Sequence, residues 1–501
     1  MRETFYIELS PEGEQIMRES IRIPHSLEKI HISVKKPAEL ACSGFLAVYD
    51  EKQQLRLQKM LAHGPQELGI GELPQDTSAG AVAGKINTGT WTLIYGNLYA
   101  DWEKYEGTLP AVVEIEISDE EKALTEPLAQ TWMDDEKPFK VNEHLFDWNA
   151  VKNKKSAWYK GDFHTHTRLS DGKDTMITAM EKAVDQQMDF YVPTEHNLVH
   201  TGWCKTDLLV VPGTEITTSR GHFNIFGITE RPTQIDALLQ TKDTEVLDQL
   251  MLSIIEEANQ KHWIVSINHP FLHVWKWLLD AVELSKVQCL EIINDPTYTY
   301  AKESNEKAIT LIDQLWMDGH KIYGVGGSDA HNLTEERYEG ATEPSIIGDP
   351  GTYVYCEELS ANRLLAAGRA GHKTVTRYCK MEPHIFGDKN TYLPGDEITE
   401  SSVTYQLKIM GISEYPQVFL VGNTPQDELI KAPLQVVKQS DGSFTVEEKI
   451  KIERGVWKWF RMEVRDAKGV FMGYTNPVYS GKKEPKYHTF GEIKHDSGNF
   501  I

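Results

Sequence analysis

No stretch of the 501-residue chain approaches the roughly 18–20 consecutive apolar residues that a bilayer-spanning helix needs. Cysteine is scarce: the five thiols, Cys42, Cys204, Cys289, Cys356 and Cys379, are odd in number, widely scattered and form no CxxC pair. A disulfide scaffold and a thiolate metal site are therefore not expected. Basic charge is also short, with 52 Lys and Arg against 75 Asp and Glu and a net charge of −23. Nucleic-acid binding rests on cations that neutralise phosphates, so neither a nucleic-acid partner nor an anionic membrane is expected. The first twenty residues carry no basic stretch followed by an apolar one. The expectation is a reduced, cytoplasmic protein.

The chain does have the means to build large cores. Its 40% hydrophobic and 25% charged content is that of a globular protein, and its length suggests two to four domains. Up to about residue 155, short runs of β-formers (30–34, 45–49, 89–95, 111–117) are separated by Gly, Pro and Asn, with no long helical period. From about Trp158 the pattern becomes strand, loop, helix. Met176, Met180 and Val184 recur at helical spacing, as do Val246, Leu250 and Ile254, and then Ile309, Ile312 and Trp316. Apolar runs at 190–192, 208–211, 263–265, 290–293 and 322–325 lie between them, which implies βα units and parallel pairing. After Cys379 strand alternation returns. The expected division is a β-sandwich-like domain (1–155), an α/β barrel-like domain (156–378) and a second β-sandwich-like domain (379–501).

Ten of the 18 histidines fall within residues 164–331, and most of them sit where a strand gives way to its loop. The segments are HTH (164–166) with SDG (170–172), TEHN (194–197), GTE (213–215) with GH (221–222), NHP (268–270) and GSDAH (327–331). In a barrel of parallel strands such ends converge on one face, where active sites are built. Imidazole with carboxylate suits Zn, Mn or Fe. Nine candidate ligands, His164, His166, Asp171, His196, Glu215, His222, His269, Asp329 and His331, exceed what one ion uses. Two or three divalent ions are therefore expected. A single such histidine is as often a hydrogen-bonded core residue, and an isolated SDG is more often a turn, but the ordered set points to a site.

These motifs resemble the PHP (polymerase and histidinol phosphatase) superfamily, and more narrowly its CehA/McbA-like metallohydrolases. The narrower match draws on GKINTGTW (84–91) and TNPVY (475–479). The resemblance covers residues 160–378 and implies a distorted (β/α)7 barrel there. With the strand patterns on either side, the expected fold is that barrel flanked by N- and C-terminal β-sandwich domains, which match the family only in character. It also implies that His164, His166, Glu215 and Asp329 hold one ion, and that Glu215 bridges to a second ion on His222 and His269. Asp171, His196 and His331 would hold a third. Many relatives carry His where Asp171 stands; the acidic ligand here suits manganese or iron better than a third zinc, or a site of two ions only.

The expected activity is hydrolysis of a small phosphate mono- or diester by a hydroxide bridging the first two ions, with Asp171 or His331 as the proton donor. Arg168 and Arg220 beside the ligand motifs are candidates to grip a phosphate, and Asn197, Asn268 and Asn294 to orient substrate or ligand. His200 and Trp203 are placed in the pocket wall or in packing; His262, His273, His320 and His372 are read as structural. A second reading keeps the metals but cleaves a carboxyl ester, amide or carbamate, with dispensable arginines and a more apolar pocket. A third makes the chain a carbohydrate- or partner-binding protein with a relic barrel, Trp457 and Trp459 serving as a stacking platform. A proofreading role beside a polymerase is disfavoured by the charge of −23. The GVGG stretch at 324–327 lacks the spacing of a dinucleotide fingerprint.

Overall fold

The computed structural model describes residues 1–13, 16–37 and 39–496. The first unit is two antiparallel four-stranded sheets sharing one core. In one sheet Ala111–Ser118 lies between Arg2–Leu9 and Lys29–Lys35, with Gln66–Gly71 at the edge. The two-residue period of Ala111–Ser118 turns Ala111, Val113, Ile115 and Ile117 inward. Ile16–Ile23, Gly89–Ala100, Cys42–Tyr49 and Leu55–Met60 form the other sheet, and Ile21, Ile32, Leu46, Trp91 and Ile115 meet between the two.

The middle region corrects the expected (β/α)7 barrel. The chain is 38% strand and 16% helix, and its sheets stay open, with no closed barrel among the described residues. One sheet has five strands in the order Gly213–Thr218, Gly221–Phe226, Ile264–Ile267, Cys289–Asn294 and Tyr323–Gly327. Only its last two pairings are parallel. Residues 219–220 alone connect Gly213–Thr218 to Gly221–Phe226, and so short a link permits only antiparallel neighbours. A second sheet runs from Leu209–Val210 through Phe190–Tyr191 to Ala157–Asp162, which pairs parallel with Phe190–Tyr191 but antiparallel with Gly351–Cys356. It continues through Lys373–Thr376 into Phe471–Thr475 and Lys458–Arg465, outward into the C-terminal strands.

The helices cover these sheets. Met176–Asp185 is capped by Thr175 and buries Met176, Ala179, Met180 and Ala183, leaving Val184 exposed. Thr244–Gln260, capped by Asp243, buries Leu247, Met251, Ile254 and Ile255, while Val246 faces outward. In both, the i, i+4 series read from the sequence runs along the edge of the buried stripe rather than its centre. No helix of the described residues is long and apolar enough to cross a membrane.

Ala301–Asp318 joins the middle region to the C-terminal strands. Arg461, fully buried, donates to both oxygens of Asp313 at 2.7 Å and to Glu463 at 2.9 Å. Trp316 stacks on Trp457 with centroids 6.1 Å apart. Trp457 and Trp459 are thus core residues, not an exposed platform for sugars. A second five-stranded sheet, centred on Ser402–Met410, closes the C-terminal core over Phe460, Met462 and Val464. Removing Asp313 leaves the buried Arg461 charge without two of its three carboxylate contacts, with Glu463 alone to satisfy it. Asp313→Ala should therefore lower the unfolding free energy by about 3–5 kcal/mol, read from the urea midpoint. A loss below about 1 kcal/mol would show that the pair does not hold the two regions together.

Candidate metal centre

The site forms where the two middle sheets meet, strand end beside strand end. Single parallel bridges, Thr165 with Ala330 and His196 with Glu215, bring their strand ends together. His164 and His166 follow Ala157–Asp162, and Asp329 and His331 follow Tyr323–Gly327. Glu215 and His222 lie within adjacent strands, and His269 and His196 just beyond the ends of theirs. Two glycines permit this convergence. A side chain at Gly327 would overlap His164, and one at Gly172 would stand 2.5 Å from the His166 backbone. Asn197, His269 and Asp329 hold left-handed backbone at φ of 56°, 26° and 49°, a strain that persists only where surroundings enforce it.

All nine sequence-derived candidates come together. Their ligand atoms fall into four overlapping groups, each within 4.8 Å: His166, Asp171, His196 and His331; His164, His166 and Glu215; His164, His269 and Asp329; Glu215, His222 and His269. His164 Nε2 lies 3.2 Å from Glu215 Oε1 and 3.3 Å from Asp329 Oδ1. His166 Nε2 is 3.1 Å from Asp329 Oδ1, and Asp171 Oδ1 is 3.3 Å from both His196 and His331. Glu215 reaches four other ring nitrogens: His196 at 2.6 Å, His222 at 3.2 Å, His269 at 3.6 Å and His166 at 3.7 Å.

These contacts suit a cation better than hydrogen bonds. His164 Nε2, His166 Nε2, Asp171 Oδ1 and Asp329 Oδ1 are all buried without a hydrogen-bond partner, although each lies 3.1–3.3 Å from another of the set. Two donors bound at about 2.0–2.1 Å to one tetrahedral ion stand roughly 3.3 Å apart. The residues therefore fit divalent metal. Burial, helped by the nearby His331 and His196, pushes His166 down to about 4, leaving its lone pair free. Burial would raise Glu215 and Asp329, but the surrounding imidazoles hold both well below the usual carboxylate range.

Further residues, not singled out by the sequence, fix the ligands. Glu291 accepts from His164 Nδ1 at 2.9 Å while its other oxygen takes the His269 backbone N–H. This carboxylate–imidazole contact leaves Nε2 of His164 aimed inward. Its signal was a lone carboxylate inside the apolar strand Cys289–Asn294. Glu195 accepts from Thr167, Ser170 and His200; burial would raise it, but the His200 contact and the hydroxyl donors keep it at about 2. The N-terminal unit grips the loop carrying Asp171: Lys59 Nζ donates to the Arg168 carbonyl and Met60 N–H to that of Leu169. The His63 ring lies 2.7 Å from the Asp171 carbonyl.

The other candidates divide. Asn268 donates to Glu215 Oε1 at 2.9 Å, and Asn294 to Glu291 and Asp329 at 3.1 and 3.2 Å. Asn197 ties to the Thr217 backbone through both amide atoms, a strand-holding contact. Arg220 lies elsewhere, its guanidinium held by Asp248 and by the Leu278 carbonyl. Arg168, near Lys59 and His63, does not line the cavity beside the cluster. His200 and Trp203 are buried, the latter stacked on Trp132. His320 contacts the Tyr487 carbonyl and His372 contacts Asp396.

Comparison with known proteins names no family. No family model matches the chain, and no curated protein matches it. A solved structure, the CBM22-1–GH10 modules of endo-1,4-beta-D-xylanase 10B from Clostridium thermocellum with xylohexaose, shares 9% identity. It is covered over 55% of its length by 59% of this chain, at a TM-score of 0.12, a likeness too low to carry an argument.

Metal should bind and stabilise the folded chain. Elemental analysis should find two or three divalent ions per chain, and chelation should lower Tm, with recovery on adding Mn, Zn or Fe. Linkage predicts about 2.7 kcal/mol for each site filled at 100 times its Kd. Glu291→Gln should weaken metal affinity about 10- to 100-fold, measured by competition with a chromogenic chelator; unchanged affinity would remove Glu291 from the site.

Proposed function

We propose that the chain is a metal-dependent hydrolase that cleaves an ester bond of a small substrate. The observation that carries this reading is a cavity of about 240 Å³ opening directly onto the cluster, lined by Asp171, His196, His222, His269, Asp329 and His331. His164, His166, Glu215 and Asp329 would hold one ion, Glu215, His222 and His269 a second, and Asp171, His196 and His331 a third. Bound there, divalent ions would lower the pKa of water toward about 7 and offset charge on the ester oxygens.

The chain's own residues supply the rest. Glu215 stands between the ligand groups, and Asn268 fixes one of its oxygens. Asp171 and His331 are the most solvent-reachable members, with side chains 38% and 26% exposed, and both line the cavity. With the third site empty, His331, which burial would lower but the Asp171 carboxylate raises to about 10, would pass a proton to the leaving group. Asp171, which burial would raise, is held ionised by the neighbouring imidazoles. Asn294 lines the cavity with its amide on Asp329 and holds that carboxylate in place. The order of the PHP-like motifs supports phosphoester cleavage as the leading chemistry.

A second reading, cleavage of a carboxyl ester, amide or carbamate, is favoured by one feature of the cavity. No lysine or arginine among the described residues lines it, while Leu272, Trp275, Tyr298 and Tyr338 do. A phosphate would be held by the ions alone. Hydrolysis of p-nitrophenyl phosphate, bis-p-nitrophenyl phosphate and p-nitrophenyl acetate separates the readings. Phosphoester turnover falling at least about 100-fold in His164→Ala, some 2.7 kcal/mol of barrier, supports the first. Turnover of acetate alone promotes the second. A metal-loaded protein that cleaves none of the three overturns the hydrolase reading for these ester classes.

A further inference from the structure

We propose that the mouth of the cavity is a stacking subsite for a planar, uncharged aromatic group of the substrate. As a substrate assignment this rests on the hydrolase reading; as a binding property it can be tested alone. The part of the wall not made by the ligand cluster draws rings from three separate segments of the chain, Trp275, Tyr298 and Tyr338. Trp275 and Tyr298 lie 5.9 Å apart with planes at 58°, and Tyr298 meets Tyr338 edge-to-face at 5.0 Å and 69°. Tyr300 continues the series at 5.7 Å from Tyr298 and is stacked by His273 at 4.5 Å and 9°. The rings thus run from the cavity interior out to the surface in the separations aromatic groups favour.

Three features commit the subsite to an aromatic ring. First, Trp275, which lines the cavity, remains 43% exposed, and Tyr300, next to Tyr298 in the series, 51%, so ring area is open to solvent at the cavity wall. Second, the wall is held in position. The Tyr338 hydroxyl donates to Asp295 Oδ2 at 2.8 Å, an oxygen that Ser345 also reaches, while Thr297 donates to Oδ1. A ring so fixed loses little freedom when a ligand stacks on it. Third, no lysine or arginine of the described residues faces the cavity, so an anionic tail would find no partner at this end. At about 240 Å³ the cavity lies below the roughly 300–1,000 Å³ of drug-sized sites, which fits a single ring joined to a small acyl or phosphoryl group.

The test compares benzyl alcohol with cyclohexylmethanol, neither of which ionises near neutral pH, by ligand-observed NMR titration on the full-length, metal-loaded protein. Wild type should bind the aromatic alcohol about three- to ten-fold more tightly. Trp275→Ala should remove that preference with the metal content unchanged, and Trp275→Phe should retain it. Equal binding of the two alcohols by wild type, or a preference that survives Trp275→Ala, would overturn the proposal. A ring preference in a protein that cleaves no ester would support the subsite and count against the hydrolase reading alone.

Discussion

Five donor atoms buried without a hydrogen-bond partner, His164 Nε2, His166 Nε2, His269 Nδ1, Asp171 Oδ1 and Asp329 Oδ1, constrain everything around them. Leaving a buried polar atom unsatisfied costs about 1–3 kcal/mol. Five together approach the roughly 5–15 kcal/mol net stability of a whole domain. Such a cluster is not a by-product of folding. The rest of the structure must hold the donors in place, and a bound cation is the partner that would offset their desolvation. Glu291 on His164, Asn268 on Glu215 and the Glu195 network beneath the 165–170 loop do the holding.

The same constraint explains why three regions of the chain are packed together. The ligand-bearing loops follow strands of two different open sheets, and loops alone would not keep their relative positions. The N-terminal unit closes one side, with Lys59, Met60 and His63 on the carbonyls of Arg168, Leu169 and Asp171 and Gln58 on the Val199 carbonyl. The other side is secured by Ala301–Asp318, whose Asp313 and Trp316 seat it on the C-terminal strands. Strain in the backbone of Asn197, His269 and Asp329 is tolerable only inside so fixed a frame.

The ligands were legible in the sequence because most of them fall at or just beyond the end of an apolar run, and strand ends gather in an α/β arrangement. Glu215 and His222, which lie within their strands, were reached through the neighbouring motifs. Glu291 was not, since a single carboxylate in a buried strand has no local pattern to mark its partner 127 residues away. Barrel closure was misread for a similar reason. Alternating strands and helices suggest parallel neighbours, but direction depends on connections such as the two-residue turn at 219–220. Arg220, read as a phosphate grip from its nearness to His222 in sequence, turns to Asp248 on a helix that the motif does not include. The aromatic wall gathers rings from positions 275, 298 and 338, a proximity no spacing rule reveals.

Charge and shape at the cavity make different demands on a substrate. The chain as a whole carries −23, and long-range attraction of an anion is absent. Close in, the walls offer carboxylates, imidazoles and aromatic rings but no lysine or arginine among the described residues. Affinity for any negative group must then come from bound ions, over a few ångströms, while the remainder of the molecule is recognised by ring contact and exclusion of water. That division ties substrate charge to the ligand cluster and substrate shape to Trp275, Tyr298 and Tyr338. Changes to the two ends should therefore separate: ligand variants act on the reacting group, and ring variants on which molecule is chosen.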